Sequence, residues 1–132
     1  MNIGGLETAL AKPSTQRAFL TGNQFKRLPQ TGTIDPNKIR FSQNSIKSTF
    51  RRGRNIKELT DGLKDGTIDP SSIPPIRIVE KDGEVFTLDN RRLKAFQDTG
   101  VAVPFQKLDD IPENELDKFT TTNDGTSITI RN

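Results

Sequence analysis

Two adjacent arginines, Arg91 and Arg92, follow Asp89 and Asn90 where the apolar run Val85-Phe86-Thr87-Leu88 gives way to a helical pattern carrying Leu93 and Phe96. A strand that opens directly into a helix leaves the first backbone N–H groups unpaired. It also sets the positive end of the helix dipole beside them, and the combination attracts an anion. Cations in the first turn oppose that dipole. A ligand resolves the conflict, because the guanidinium fork matches a phosphate bidentately. The competing reading is structural: Asp89 caps the helix and pairs with one arginine. Both stand on sequence alone.

The 132 residues contain no His and no Cys. That excludes disulfides, Cys- or His-ligated zinc and thiol or imidazole catalysis, leaving Asp, Glu, Lys or the substrate itself for acid/base work. Twenty Lys+Arg stand against 17 Asp+Glu, a net charge of +3. The distribution is uneven. Lys38, Arg40, Lys47, Arg51, Arg52, Arg54 and Lys57 form a stretch without acids, and Asp109, Asp110, Glu113, Glu115 and Asp117 one without bases. A basic segment in a near-neutral chain fits a phosphate-rich partner or a solvated face.

These residues need elements to position them. Gly4-Gly5, Pro13, Gly22 and Pro29 mark residues 1–30 as a flexible junction or a loosely docked arm, with one apolar cluster at Ala18-Phe19-Leu20. Gly32-Thr33-Ile34-Asp35-Pro36 and Gly66-Thr67-Ile68-Asp69-Pro70 echo each other, each turning the chain into an extended run. Ser42-Gln43-Asn44-Ser45 offers caps for a helix carrying Ile46 and Phe50 and ending near Gly53. A second helix is expected from Asn55 to Gly66, with Ile56, Leu59 and Leu63 inward. Asp82-Gly83 predicts a hairpin, the helix Asn90–Thr99 stops at Gly100, and Val101–Leu108 reads as a core strand. Ser127–Ile130 fits an edge strand or a loose end. No run approaches the ~20 apolar residues of a membrane span, and only 30% of residues are hydrophobic, which predicts unpacked ends.

The segment Pro75–Leu108, with its Lys-Asp-Gly turn, Thr-Leu-Asp-Asn-Arg-Arg-Leu and Thr-Gly-Val-Ala-Val-Pro, resembles the core of the ParB/sulfiredoxin superfamily. There a hairpin leads to a Gly-x-His-Arg or Gly-Glu-Arg-Arg phosphate-binding motif, a helix and a strand. Asp89 stands in place of the motif's Gly and Asn90 in place of its His or Glu. The resemblance implies phosphate contacts for Arg92 and Arg91. Without Cys, sulfiredoxin's chemistry is excluded, and the chain has no room for ParB's DNA-reading helical domain. Over residues 33–108 the chain also resembles ParB-like domains at the C-termini of bacterial polymorphic toxins, the contact-dependent inhibition and Rhs effectors. That resemblance implies a nuclease secreted with a larger N-terminal carrier protein, delivered into a target-cell cytoplasm and neutralised by a cognate immunity protein.

The expected architecture is therefore α+β, a small mixed sheet with short helices, ParB/sulfiredoxin-like. Residues 1–30 would form the junction, 31–108 the nuclease core and 109–132 an acidic and polar extension. A nuclease without His has two routes. Carboxylates such as Asp89 with Glu80 or Glu84 can hold Mg²⁺, as for a DNase. Alternatively the 2′-OH of RNA is the nucleophile and arginine stabilises the phosphorane, with no metal or other cofactor. Abundant cations and few clustered carboxylates favour the second route, with RNA, plausibly tRNA, as substrate. A non-catalytic nucleic-acid-binding module is the remaining alternative. The expected catalytic residues are Asp89, Asn90, Arg91 and Arg92, with Asp89 or Asn90 orienting the nucleophile. Ser42, Gln43, Arg51, Arg52 and Arg77 are the expected substrate-binding residues, although Ser42-Gln43 also reads as a helix cap. Phe41 and Phe50 read as core ahead of base-stacking platforms.

Overall fold

A computed structural model of the chain describes residues 18–50 and 53–131. Five strands, β1 (Thr31–Ile34), β2 (Arg40–Phe41), β4 (Ile76–Lys81), β5 (Glu84–Thr87) and β6 (Val103–Lys107), form one mixed sheet in the order β1-β6-β4-β5-β2. Pairing is antiparallel for β1–β6 and β4–β5 and parallel for β4–β6 and β2–β5. A second, two-stranded parallel sheet joins β3 (Ser45–Lys47) to β7 (Thr129–Arg131). Three helices complete the set: α1 (Gly22–Arg27), α2 (Ile56–Asp65) and α3 (Asn90–Thr99). This is the expected α+β class with a small mixed sheet. None of the helices is long and apolar enough to cross a membrane, among the described residues.

Local chemistry explains the elements read correctly. The Asn55 side chain accepts from Glu58 N–H at 2.8 Å while the Glu58 carboxylate accepts from Asn55 N–H at 3.0 Å, a reciprocal cap that starts α2. Gly66, at φ 82°, ends it. Ile56, Leu59 and Leu63 of α2 join Leu93, Ala95 and Phe96 of α3 in the main core. That core lies on the sheet face presenting Ile76, Ile78, Val85, Val103 and Phe105. The β4–β5 hairpin turns through Asp82 at φ 54° and Gly83 at φ 83°, the two left-handed residues of a tight hairpin turn. Asp35 and Asp69 each accept from the N–H two residues on and start 3-10 turns at Pro36 and Pro70, which lead toward β2 and β4.

Expectations for several segments are corrected or narrowed. Residues 42–50 do not make a helix: Ile46 is a buried strand residue paired with Ile130 of β7. Ser45, Ser48 and Thr49 are weak helix formers, and the Ser42 and Gln43 N–H groups are taken by Asn90. Thr31–Ile34, within the first sequence echo, is a strand on β6 and not a turn alone. Of the expected junction or loosely docked arm, residues 1–17 lie outside the described residues, and α1 is docked on the core. Thr21 caps it in a reciprocal pair with Gln24, and Leu20 and Phe25 are core. The segment after Leu108, expected as an acidic and polar extension, packs against the sheet. Alternation along β4 and β5 turns Val79 and Phe86 away from the helices. Leu88, Leu108, Ile111 and Phe119 close over them, with Phe119 edge-on to Phe86 at 5.4 Å.

The returning tail is fastened at Gly125, whose carbonyl accepts from Phe41 N–H at 3.0 Å. Gly125 has φ 73°, and an added Cβ would fall on the Phe41 carbonyl oxygen and 2.7 Å from Arg40 Cβ. Gly66 has a similar φ of 82° but open space around it. Gly66→Ala is expected to lower unfolding free energy by about 1 kcal/mol from backbone strain alone. Gly125→Ala is expected to lose about 3 kcal/mol, strain plus clash, in urea unfolding. Equal losses would show that the tail yields at no cost.

Candidate functional site

The site grows from the end of β5. Thr87 Oγ1 accepts from Asp89 N–H at 2.9 Å and bends the chain into α3. Asp89 occupies the cap position yet makes no side-chain cap bond, and no side chain among the described residues satisfies the first-turn N–H groups of α3. Its carboxylate turns to β4 instead. Arg77 donates to Asp89 from its backbone N–H at 2.8 Å, from Nε at 3.0 Å and from Nη2 at 2.8 Å. Arg92 adds an ion pair at 2.9 Å. These contacts use the roughly four acceptor positions of a carboxylate.

Arg77 faces the C-terminal segment and is gripped there by Glu115, through Nη1 and, at 3.0 Å, Nη2. Glu115 in turn pairs with Lys118 at 2.6 Å. The result is a chain of alternating charge, Lys118–Glu115–Arg77–Asp89–Arg92. Burial pushes the Asp89 carboxyl up, but hydrogen bonds from Arg77 and the Arg92 charge outweigh it and hold it below the usual carboxylate value of 3.8. Glu115 is likewise depressed: burial raises it, and Lys118 and then Arg77 prevail. Bonding to Asp89 holds the Arg77 guanidinium above its usual range.

Asn90 is 3% exposed. Its Oδ1 accepts from Ser42 N–H at 2.9 Å and Gln43 N–H at 3.3 Å, while Nδ2 donates to Ser42 Oγ at 3.0 Å and Gln43 Oε1 at 3.1 Å. Asn90 thus locks the loop after β2 to the start of α3. The same loop is held from the other side, where Thr120 and Thr121 N–H both donate to Ser42 O at 3.0 Å.

Between these walls lies a pocket of about 180 Å³, lined by Gln43, Phe50, Asn90, Arg91, Arg92 and Lys118 with Leu88 and Asp89. It shares Phe50, Arg91 and Arg92 with a larger, mainly apolar cleft of about 750 Å³ walled by α2 and the 67–74 segment. Arg91 has no ion pair or hydrogen bond among the described residues, and its guanidinium lies 5.7 Å from the centre of the Phe50 ring. Arg92 also donates to the Pro74 carbonyl at 2.8 Å. With Asp89 and Asn90 saturated, the groups left over are mainly donors: Arg91, part of Arg92, Gln43 Nε2, Lys118 and the start of α3. Such a lining takes an anion.

Of the residues expected from sequence, Gln43, Asp89, Asn90, Arg91 and Arg92 meet around this pocket. Ser42 is fully buried and acts behind its wall. Arg77 lies behind Asp89. Arg51 and Arg52 lie outside the described residues. Phe41 is core, whereas Phe50 is half-buried and borders both cavities. Lys118 escaped the sequence reading, its one signal being a lysine three residues after a glutamate at the end of an acidic run. No three acidic side chains converge on a metal position among the described residues.

Because Asp89 and Glu115 titrate lower in the folded chain than in the unfolded one, their contribution is complete above the unfolded values and is lost as pH falls through the folded ones. Stability is expected to drop below about pH 4. Asp89→Asn is expected to destabilise by about 2 kcal/mol at neutral pH, the half-exposed Arg77 being partly screened, and to flatten the acid limb. An unchanged acid limb in the variant would remove Asp89 from this role. Asn90→Ala leaves two buried N–H groups unpaired and is expected to lose about 2–3 kcal/mol in the same unfolding measurement. No family model, curated protein or solved structure matches the chain.

Proposed function

We propose that the chain is a toxin nuclease domain of the ParB/sulfiredoxin-like kind, cleaving RNA without a metal, and that the pocket at the start of α3 holds the scissile phosphate. The observation that carries this reading is a lining whose uncommitted charged groups are all cations, with Arg91 unpaired among the described residues at the head of an uncapped helix. Arg91, Arg92 and Gln43 contact the phosphate and stabilise the charge that grows on it as the 2′-OH attacks, the O2′–P bond forming while the P–O5′ bond breaks, with solvent water taking the 2′-OH proton and protonating the departing 5′-oxygen. Asp89 and Asn90 act as positioning residues, since their hydrogen-bonding capacity is spent on Arg77, Arg92 and the Ser42-Gln43 loop. The adjoining cleft of about 750 Å³ gives room for the flanking nucleoside. A larger carrier, delivery to a target-cell cytoplasm and a cognate immunity protein complete the proposal, on the resemblance alone.

A second reading is favoured by one observation: no pocket carboxylate has spare acceptor capacity to take a proton from the nucleophile. In that reading the pocket binds a phosphate of a nucleic acid or nucleotide and nothing is cleaved.

Purified protein incubated with total RNA, or with plasmid DNA with and without Mg²⁺, separates the two. RNA is expected to be cut in the absence of metal, and Arg91→Ala is expected to slow cutting about 100-fold without loss of stability. Intact RNA beside Mg²⁺-dependent DNA cleavage would sink the RNase proposal. Intact RNA and DNA with retained oligonucleotide binding would leave the binding module.

A further inference from the structure

Lys118 belongs to the acidic C-terminal segment, beyond the part of the chain whose motifs suggested a phosphate site, yet it lines the same pocket as Arg91 and Arg92. Its ammonium donates to Leu88 O at 2.8 Å and pairs with Glu115 at 2.6 Å. An ammonium has three donors, so one remains. The alternating chain through Glu115, Arg77 and Asp89 ends in a cation on either side, Lys118 at one end and Arg92 at the other, and both ends border the pocket. The three inner members bring two negative charges and one positive one, so the ends are held in place without being drawn together. Thr120 and Thr121, bonded to Ser42 O, fix the backbone just after Lys118 against the Ser42-Gln43 loop.

We propose that Lys118 is a phosphate-binding residue of this pocket, opposing Arg92 across a bound phosphodiester, so that the C-terminal segment supplies part of the site. This rests on the phosphate reading of the pocket. The ligand class is a single-stranded nucleic-acid phosphate, and the lysine binds it as a point charge where the arginines bind it as forks.

The test is fluorescence anisotropy with a labelled, uncleavable 2′-O-methyl oligoribonucleotide across a salt series. Wild type is compared with Lys118→Met, Lys118→Arg, Arg91→Ala and Lys64→Met, the last removing an exposed charge on α2. Lys118→Met is expected to weaken binding about tenfold and to lower the salt slope by roughly 0.7, one phosphate contact on a single strand. Lys118→Arg is expected to restore the slope, and Lys64→Met to leave it near that of the wild type. A purely structural lysine would change stability but not the slope. If Lys118→Met keeps the wild-type slope while Arg91→Ala loses it, the assignment of Lys118 falls and the phosphate pocket stands. If Lys64→Met lowers the slope as much as Lys118→Met, the assignment also falls. If the wild type does not bind, both fall. Should Lys118→Met fail to fold, Lys118→Gln in the same series decides by the same slope.

Discussion

The pairing of Arg77 with Asp89 governs this molecule. Arg77 leaves β4 on the face opposite the main core, where a cation needs partners, and Asp89 receives three of its N–H groups. A carboxylate drawn sideways in this way cannot cap α3. The helix therefore begins with unsatisfied donors, and the arginines of its first turn remain beside them. Local helix stability is given up at α3 and recovered in the charge network behind it. This is the usual signature of a site whose geometry is held by the rest of the fold.

Glu115 extends the same constraint to the far end of the chain. By gripping Arg77, it docks the segment that also shields Val79, Phe86 and Leu88 from water. An acidic run that looks solvated by composition is thereby divided. Glu115 turns inward to the half-exposed Arg77, while Asp109, Asp110, Glu113 and Asp117 remain exposed. One side of the sheet is covered by helices and the other by the C-terminal segment with its 3-10 turn Glu113–Lys118, and the pocket opens where the two coverings meet at α3.

What was legible in sequence was local. The stop glycines Gly66 and Gly100 and the Asp82-Gly83 turn are decided within a few residues, and the end of α2, the end of α3 and the hairpin follow from them. The stretch from Ser42 to Phe50 was misread because Ile46 and Phe50, four apart after a run of cap-forming residues, satisfy a helix equally well. The decision lies with Asn90, 48 residues from Ser42, and with β7 near the other end of the chain. Arg91 and Arg92 were visible as an anion site because they violate a local rule. That Asp89 and Asn90 would be saturated by partners was not visible, since those partners, Arg77 and the Ser42-Gln43 loop, come from other strands. Lys118 was hidden for the same reason.

The parallel pairing of β3 with β7 and the seat of Gly125 on Phe41 join segments separated by most of the described chain. Contacts of such separation raise contact order, and the loop entropy lost in closing them has to be met before they give anything back. On a ribosome, the strands and helices up to β6 emerge first, leaving Val79 and Phe86 bare and Arg77 without Glu115. Only when residues 109–131 arrive are the exposed sheet face, the inner charges and the last wall of the pocket completed together. A chain still being made is thus without the finished pocket, and assembly of the site coincides with closure of the fold.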